Sequence, residues 1–193
     1  LVKYGEYVHR QRADVVNELI PVFREYYSMI SSGKETVRLA YRSHLSEGNF
    51  ADALVNSLDK DSFLGYTTVG IHKDDLILEM DGHPVKLLGS QGQQKSYLVA
   101  LKLSKFEYIR RKSGIPPVLL LDDIFDKFDA ERVEEIIRLV GNSRFGQILI
   151  TDTHESRLRE ILATHNTDYK LFVIKDNRIG EEIHNGIRIS ETK

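Results

Sequence analysis

The chain has 193 residues, 41% of them hydrophobic, enough to bury one ordinary core or two small lobes. Its 27 basic and 29 acidic residues leave a formal charge of -2, so no global positive field marks it as a nucleic-acid binder, and any such contact must come from local patches. Without cysteine it can build neither a disulfide framework nor a Cys-ligated zinc site, and no apolar run approaches the roughly 18 residues that a membrane span needs.

The expectation is therefore an α/β chain with no membrane contact and a cytoplasmic location. The first residues carry a helical pattern rather than the basic-then-apolar order of a signal peptide. A start at Leu1 rather than Met suggests a fragment or a processed chain.

From Gly5 to Ile30 the apolar residues Tyr7, Val15, Val16, Leu19, Ile20, Val22, Phe23, Tyr26, Tyr27 and Ile30 recur mostly at steps of three and four, which predicts a helix that Pro21 kinks or divides. After Ser31-Ser32-Gly33, the alternation over Thr36 to Tyr41 predicts a strand. Asn49 is a candidate N-cap for a helix reaching Leu58. Thr67 to Ile71 and Leu76 to Met80 read as strands, with Asp81-Gly82 a hairpin turn leading into Val85 to Leu88.

Gln91 to about Lys112 reads as a long helix, stopped by Ser113-Gly114 and the Pro116-Pro117 pair. The uninterrupted apolar runs Val118 to Leu121 and Gln147 to Thr151 suit strands covered on both faces, as in parallel sheets. Between them, Ala130 to Val140 places Val133, Ile136, Ile137 and Val140 on one face, as a crossover helix does. A helix at Ser156 to Leu162 and strands at Tyr169 to Ile174 and Ile179 to Ile183 follow. The shift in composition near Gly114 divides the chain into a helical lobe with a strand hairpin over 1–112 and an alternating strand and helix part over 113–193.

Asp122 and Asp123 end an apolar strand, at the edge of a sheet where α/β proteins bind ligands. Adjacent carboxylates there repel one another and invite a cation, and magnesium suits one or two carboxylates combined with waters and phosphates. Asp122 would hold the metal and Asp123 would orient or deprotonate an attacking water. The plainer alternative is an acidic strand end that caps the next turn, and the further aspartate in DDIFDKFD weighs against it. In GSQGQQKS, Ser90 can cap the following helix while Gly92 lets a ligand approach the backbone, so that unpaired N–H groups and the helix dipole face an anion.

These residues carry a resemblance. GSQGQQKSYLVALKL resembles the signature motif of the RecF family of ABC-type, SMC-like ATPase heads, PVLLLDDIFDKFDAERV its Walker B strand and D-loop, and VGIHKDDL a further RecF segment. The likeness runs from about Gly65 to Thr151 and implies the C-terminal part of an ABC-ATPase-like head, with a sheet of the P-loop NTPase type and a helical lobe.

It also implies that Ser90, Gln91, Gly92 and Gln93 contact the γ-phosphate of ATP held by an opposite subunit. Asp122 becomes the magnesium residue, Asp123 stands where most such ATPases carry a catalytic glutamate, and Asp129 is the D-loop aspartate at a dimer interface. Thr151, Asp152, Thr153 and His154 fall in the switch region, with His154 a candidate γ-phosphate sensor. The expected cofactors are ATP and Mg2+. The expected partners are single-stranded or gapped duplex DNA, RecR, RecO, and a second copy in an ATP-dependent homodimer.

Two departures temper this. No G-x-x-x-x-G-K-[ST] loop occurs anywhere in the chain, so by itself it is expected to bind no cofactor and to turn over no ATP. Ile71 stands where the family segment has proline, leaving His72, Lys73, Asp74 and Asp75 as a polar turn of undetermined role. Lys102, Lys105, Arg110, Arg111 and Lys112 make the signature helix locally basic, with His9, Arg10 and Arg12 on the first helix; such clusters can track phosphates or simply face solvent. Competing readings are another SMC-like or ABC-type head, a metal-dependent nuclease or phosphotransfer domain built on Asp122, Asp123 and Asp126, and a non-catalytic interaction module.

Overall fold

The structure, a computed structural model, describes residues 1–123, 128–141, 145–164, 168–176, 178–184 and 187–189. It divides into two compact units, Leu1–Tyr108 and Ile109–Lys193.

The first unit is organised by helix α1, Val2–Ile30, which continues through Pro21 without dividing. Its Val16, Val22, Phe23, Tyr26, Tyr27 and Ile30 are buried, and this apolar stripe outweighs the hydrogen bond that the proline removes. The helix stops where Ser32 and Gly33 enter the left-handed region at φ 51° and 70°. There the Gly33 N–H returns to the Ser28 carbonyl at 2.8 Å, satisfying one of the terminal acceptors.

Strand β1, Val37–Arg42, pairs antiparallel with β2, Asp75–Met80, in a register that sets Val37 opposite Met80 and Arg42 opposite Asp75. Val37 and Leu39 point into the core, while the outward residues form cross-strand ion pairs, Arg38 with Glu79 at 2.8 Å and Arg42 with Asp75 at 3.1 Å. Asp81 and Gly82, both at positive φ, turn the chain into the two-residue strand β3, His83–Pro84. The hairpin arm expected over Val85 to Leu88 does not form: pairing ends at Pro84, which has no N–H to continue a ladder, and Val85–Leu88 is a single helical turn, α3.

Helix α2, Phe50–Leu64, begins as expected at Asn49, whose side chain accepts from the N–H groups of Ala51 and Asp52. The strand expected over Thr67 to Ile71 does not form. The Asp61 carboxylate takes both the N–H and the hydroxyl of Thr68, at 2.9 and 2.7 Å, and His72 Nε2 bonds the Thr67 carbonyl at 2.9 Å. These local partners replace the ladder a strand would need, and the segment closes in a 3-10 turn at Ile71–Lys73.

Helix α4, Gln91–Ser113, buries Ser96, Tyr97, Val99, Ala100, Leu103, Ser104, Phe106 and Glu107, a stripe at steps of three and four. Tyr97 packs its ring 4.6 Å from Phe23 and 5.8 Å from Tyr27, and donates its hydroxyl to the Arg38 carbonyl at 2.7 Å. Burial pushes this phenol far above its ordinary pKa, which favours the protonated, donating form. The side chains of α1, β1 and α4 thus share one core.

In the second unit β4, Leu119–Leu121, pairs in parallel with β5, Ile148–Ile150, and α5, Ala130–Val140, is the crossover between them. Val133, Ile136, Ile137, Leu139 and Val140 form the buried face of α5. Leu119 and Leu121 are buried, but Leu120 and Leu149 are 60% and 52% exposed. Among the described residues, therefore, the cover expected on both faces of the strand pair is found on one face only. Helix α6, Glu155–Thr164, leads into an antiparallel meander of β6, Lys170–Lys175, β7, Arg178–His184, and β8, Ile187–Ile189, the last not anticipated from the sequence.

Candidate functional site

The candidate residues form two clusters, one in each unit. In the first, α3 runs into α4 through Gly89, whose N–H donates to the Val85 carbonyl at 2.9 Å. A Cβ on Gly89 would lie 2.6 Å from that same oxygen, so the junction admits only glycine.

Ser90 and Gln93 then close a reciprocal capping box. The Gln93 N–H donates to Ser90 Oγ at 3.2 Å, and the Ser90 N–H donates to Gln93 Oε1 at 2.8 Å. Gln93 Nε2 reaches out of the box to Glu35 Oε1 at 2.9 Å, and Gln94 Nε2 donates to the Gly89 carbonyl at 2.8 Å. Ser90 and Gln91 are exposed, while Gly92 and Gln93 are half-buried.

Among the described residues no acceptor faces the backbone N–H groups of Gln91 and Gly92. Those donors and the positive end of a long helix suit an anion. Ser90, Gln91 and Gly92 are thus placed to present donors, whereas the Gln93 side chain is occupied at both ends of its amide.

The second cluster lies at the carboxyl ends of β4 and β5. The Thr151 N–H continues the ladder to the Leu121 carbonyl at 3.0 Å. The Thr151 hydroxyl donates to Asp122 Oδ1 and accepts the Asp123 N–H, the latter at 3.0 Å. One hydroxyl therefore fixes both aspartates to the neighbouring strand. Asp123 sits at φ 46°, in the left-handed region that aspartate tolerates better than most residues, and both carboxylates are exposed.

Next in the chain, the Asp152 side chain is only 1% exposed. Its Oδ1 accepts the His154 N–H at 2.6 Å, and its buried Oδ2 has no hydrogen-bond partner among the described residues. His154 is 63% exposed on its side chain, with Nδ1 3.2 Å from the Thr153 hydroxyl and 3.4 Å from Asp152 Oδ1. Asp129 caps α5 by accepting the Arg132 N–H at 2.8 Å, and it also pairs with the Arg132 guanidinium at 3.2 Å.

Among the described residues no group of three or more His, Asp or Glu side chains is arranged to hold a metal on its own. The Asp122 and Asp123 pair fits magnesium in the mode that uses one or two carboxylates and completes its shell with water and phosphate. The nuclease alternative needed Asp126, which lies outside the described residues.

Of the basic candidates, Lys105, Arg111 and Lys112 are exposed, and Lys102 and Arg110 are half-buried. Arg110, Arg111 and Lys112 occupy the last turn of α4, where the helix dipole favours cations.

The polar turn at His72 to Asp75 receives a structural role. Asp74, 4% exposed on its side chain, accepts from the Arg12 guanidinium at 2.7 Å and from the Tyr41 hydroxyl at 2.5 Å. Arg12 also bonds the Ile71 carbonyl at 2.7 Å, and His9 stacks on Tyr41 with ring centroids 5.4 Å apart. Burial works to raise the Asp74 carboxyl, but hydrogen bonds from Ser43, Tyr41 and Arg12 outweigh it and hold the group below the usual carboxylate range. Two of the basic residues of α1 are thereby committed to the fold. Beside them lies a cleft of about 650 Å³ lined by Tyr7, Gln11, Val15, Tyr41, His72 and Leu76 among others; no residue of either cluster lines it.

The sequence alone did not point to Glu35 or to the bridging action of Thr151. Each acts across a distance in the chain, 58 residues from Glu35 to Gln93 and 29 from Asp122 to Thr151. No local pattern signals such pairings.

The fold and the strand-end carboxylates define part of an ABC-ATPase-like head of the α/β class. A solved structure of the recombination mediator RecF with ATP matches at TM-score 0.64 and 25% identity over 80% of this chain and 43% of that one. A structure from work on ATP-driven dimerisation of SMC ATPases shares the fold at TM-score 0.55 and 13% identity, over 94% of this chain and 89% of that one. No protein-family model matches the chain.

Among curated relatives, the DNA replication and repair protein RecF of Phocaeicola vulgatus is 47% identical over 178 residues, which is 92% of this chain and 48% of the relative. Its counterpart in Bacteroides fragilis is 46% identical over 181 residues, 94% and 49% respectively. The chain belongs to the RecF family. It spans about half the length of the curated relatives it matches. Among the described residues no helix is long and apolar enough to cross a membrane.

Proposed function

We propose that this chain supplies the signature and Walker B parts of a composite ATP site in a RecF-like recombination and repair ATPase, which dimerises with ATP and clamps gapped or single-stranded DNA together with RecO and RecR. In this reading residues 1–112 form the lobe that presents the signature, and 113–193 belong to the ATPase core. The observation that carries it is the start of α4, where among the described residues no acceptor meets the Ser90 hydroxyl or the N–H groups of Gln91 and Gly92.

Each cluster serves a different nucleotide. Ser90, Gln91 and Gly92 donate to the γ-phosphate of ATP held by the partner copy. Asp122 holds magnesium for the site of its own chain, and Asp123 orients or deprotonates the attacking water. Magnesium, when bound, offsets the charge on the β and γ phosphates. Thr151 keeps the two aspartates in fixed relation by bonding one carboxylate and the backbone of the next residue. An aspartate at position 123 is one methylene shorter than the usual glutamate, which suits slow hydrolysis by a switch. Asp129 lies at the copy-to-copy interface, and Lys102, Lys105, Arg110, Arg111 and Lys112 are the DNA-facing candidates.

The test is Ser90→Arg in the intact protein. ATP-dependent dimerisation should be lost while the monomer still binds ATP; a dimer that forms as in the wild type overturns the signature role.

A further inference from the structure

The capping box at the start of α4 does not stand alone. Gln93 accepts the Ser90 N–H through Oε1 at 2.8 Å and donates through Nε2 to Glu35 Oε1 at 2.9 Å. Glu35 Oε2 in turn accepts the Tyr27 hydroxyl at 2.5 Å, and Tyr27 is fully buried in α1, at 0% exposure. A continuous chain of hydrogen bonds therefore runs from the core of the first unit, through the carboxylate of a loop residue, to the backbone of Ser90.

A glutamine at the third position of a helix can close a capping box in several rotamers, and an exposed one pays side-chain entropy to choose among them. Here the rotamer that satisfies Ser90 with its oxygen also offers its nitrogen to the Glu35 carboxylate. The Ser90 oxygen accepts the Gln93 N–H, and its hydroxyl proton, which that bond leaves available, meets no acceptor among the described residues.

We propose that Glu35 is a positioning residue for the signature. It acts through Gln93, which braces Ser90 and is not itself a phosphate ligand, so that the Ser90 hydroxyl and the N–H groups of Gln91 and Gly92 are held ready for a γ-phosphate. This rests on the composite-site reading above, and it removes Gln93 from the set of phosphate contacts that the family resemblance implied.

The experiment measures ATP-dependent dimerisation of the intact protein for Gln93→Ala, Glu35→Ala, the double variant and Glu35→Gln, beside ATP binding by the monomer and the melting temperature. Gln93→Ala and Glu35→Ala should each weaken ATP-dependent dimerisation about tenfold, the size of losing a hydrogen bond to a charged group. The double variant should be no weaker than Gln93→Ala alone, because Glu35 acts only through Gln93. Glu35→Gln, whose amide oxygen can accept from Gln93 while its NH2 donates to the Tyr27 hydroxyl oxygen and the Tyr27 proton turns to Met80, should retain most of the wild-type dimerisation, and monomer ATP binding should stay unchanged throughout.

Additive losses in the double variant, or wild-type dimerisation by Glu35→Ala, overturn the brace. If Glu35→Ala does not fold, Gln93→Ala measured beside Ser90→Ala decides the matter: the brace predicts a loss no larger than that of Ser90→Ala, and a larger loss marks position 93 as a phosphate ligand and overturns it. If Ser90→Arg leaves the dimer intact, the composite-site reading has failed instead, and it fails whatever Glu35 does.

Discussion

Asp74→Ala offers the sharpest check on how the first unit is held together. The wild-type carboxylate is almost wholly removed from solvent, and its Oδ2 accepts from Arg12 and Tyr41 at 2.7 and 2.5 Å. A hydrogen bond to a charged group contributes about 1.5–3 kcal/mol, so losing two would cost about 3–6 kcal/mol at most. Arg12 is 47% exposed on its side chain and can rehydrate when its partner is removed, which discounts its share. The expected cost is therefore about 2–3 kcal/mol at neutral pH, arising mostly from the stranded Tyr41 hydroxyl and the loss of the tie between β1 and the turn before β2.

The pH dependence follows from the depressed carboxyl of Asp74. A group whose pKa is lower in the folded state contributes stability that is fully present above its unfolded value, about 3.9, and lost as pH falls through the folded value. The gap between wild type and Asp74→Ala should thus be constant from pH 7 down to about 5 and shrink towards pH 3. Urea unfolding of the intact protein, followed by far-ultraviolet circular dichroism at a series of pH values, measures it. A gap below about 0.5 kcal/mol at pH 7, the scatter of an ordinary surface change, would refute the reasoning, as would a gap that does not narrow in acid.

Thr151→Val should leave the fold in place but release Asp122 and Asp123 from their shared hydroxyl; ATP turnover of the intact protein should fall about tenfold or more, with a change in melting temperature of only a few degrees. Asp123→Asn should abolish turnover while ATP-dependent dimerisation persists, which a combined hydrolysis and light-scattering assay would show. Gly89→Ala places a methyl group 2.6 Å from the Val85 carbonyl, and should destabilise the protein by roughly 1–3 kcal/mol and loosen the signature turn, seen as a lower unfolding midpoint. Asn49→Ala removes the cap of α2 and should cost about 1 kcal/mol, with no effect on dimerisation.

Several elements could be read directly because their causes are local. The periodic stripe of α4, the crossover helix between two apolar runs, the Asn49 cap and the Asp81-Gly82 turn depend on residues within a few positions of one another. The carboxylates at the end of β4 were likewise visible, since an acidic pair after an apolar strand is itself a local pattern. Where a side chain competes with the backbone, the local reading failed: the alternation over Thr67 to Ile71 looks like a strand, yet Asp61 takes the Thr68 N–H that a ladder would have used.

What the amino-acid order determined by itself is the longer helices, the parallel strand pair, the family, and the residue types that could face a phosphate or a metal. Tertiary structure alone decided which partner each polar side chain finds. Gln93 meets Glu35, Thr151 ties Asp122 to Asp123, Arg12 pairs with Asp74, and Leu120 and Leu149 remain exposed on the strand pair. The physical reason is that helix and strand periodicities are short-range properties of the backbone. Hydrogen-bond pairing and burial depend on segments that meet only once the chain has folded.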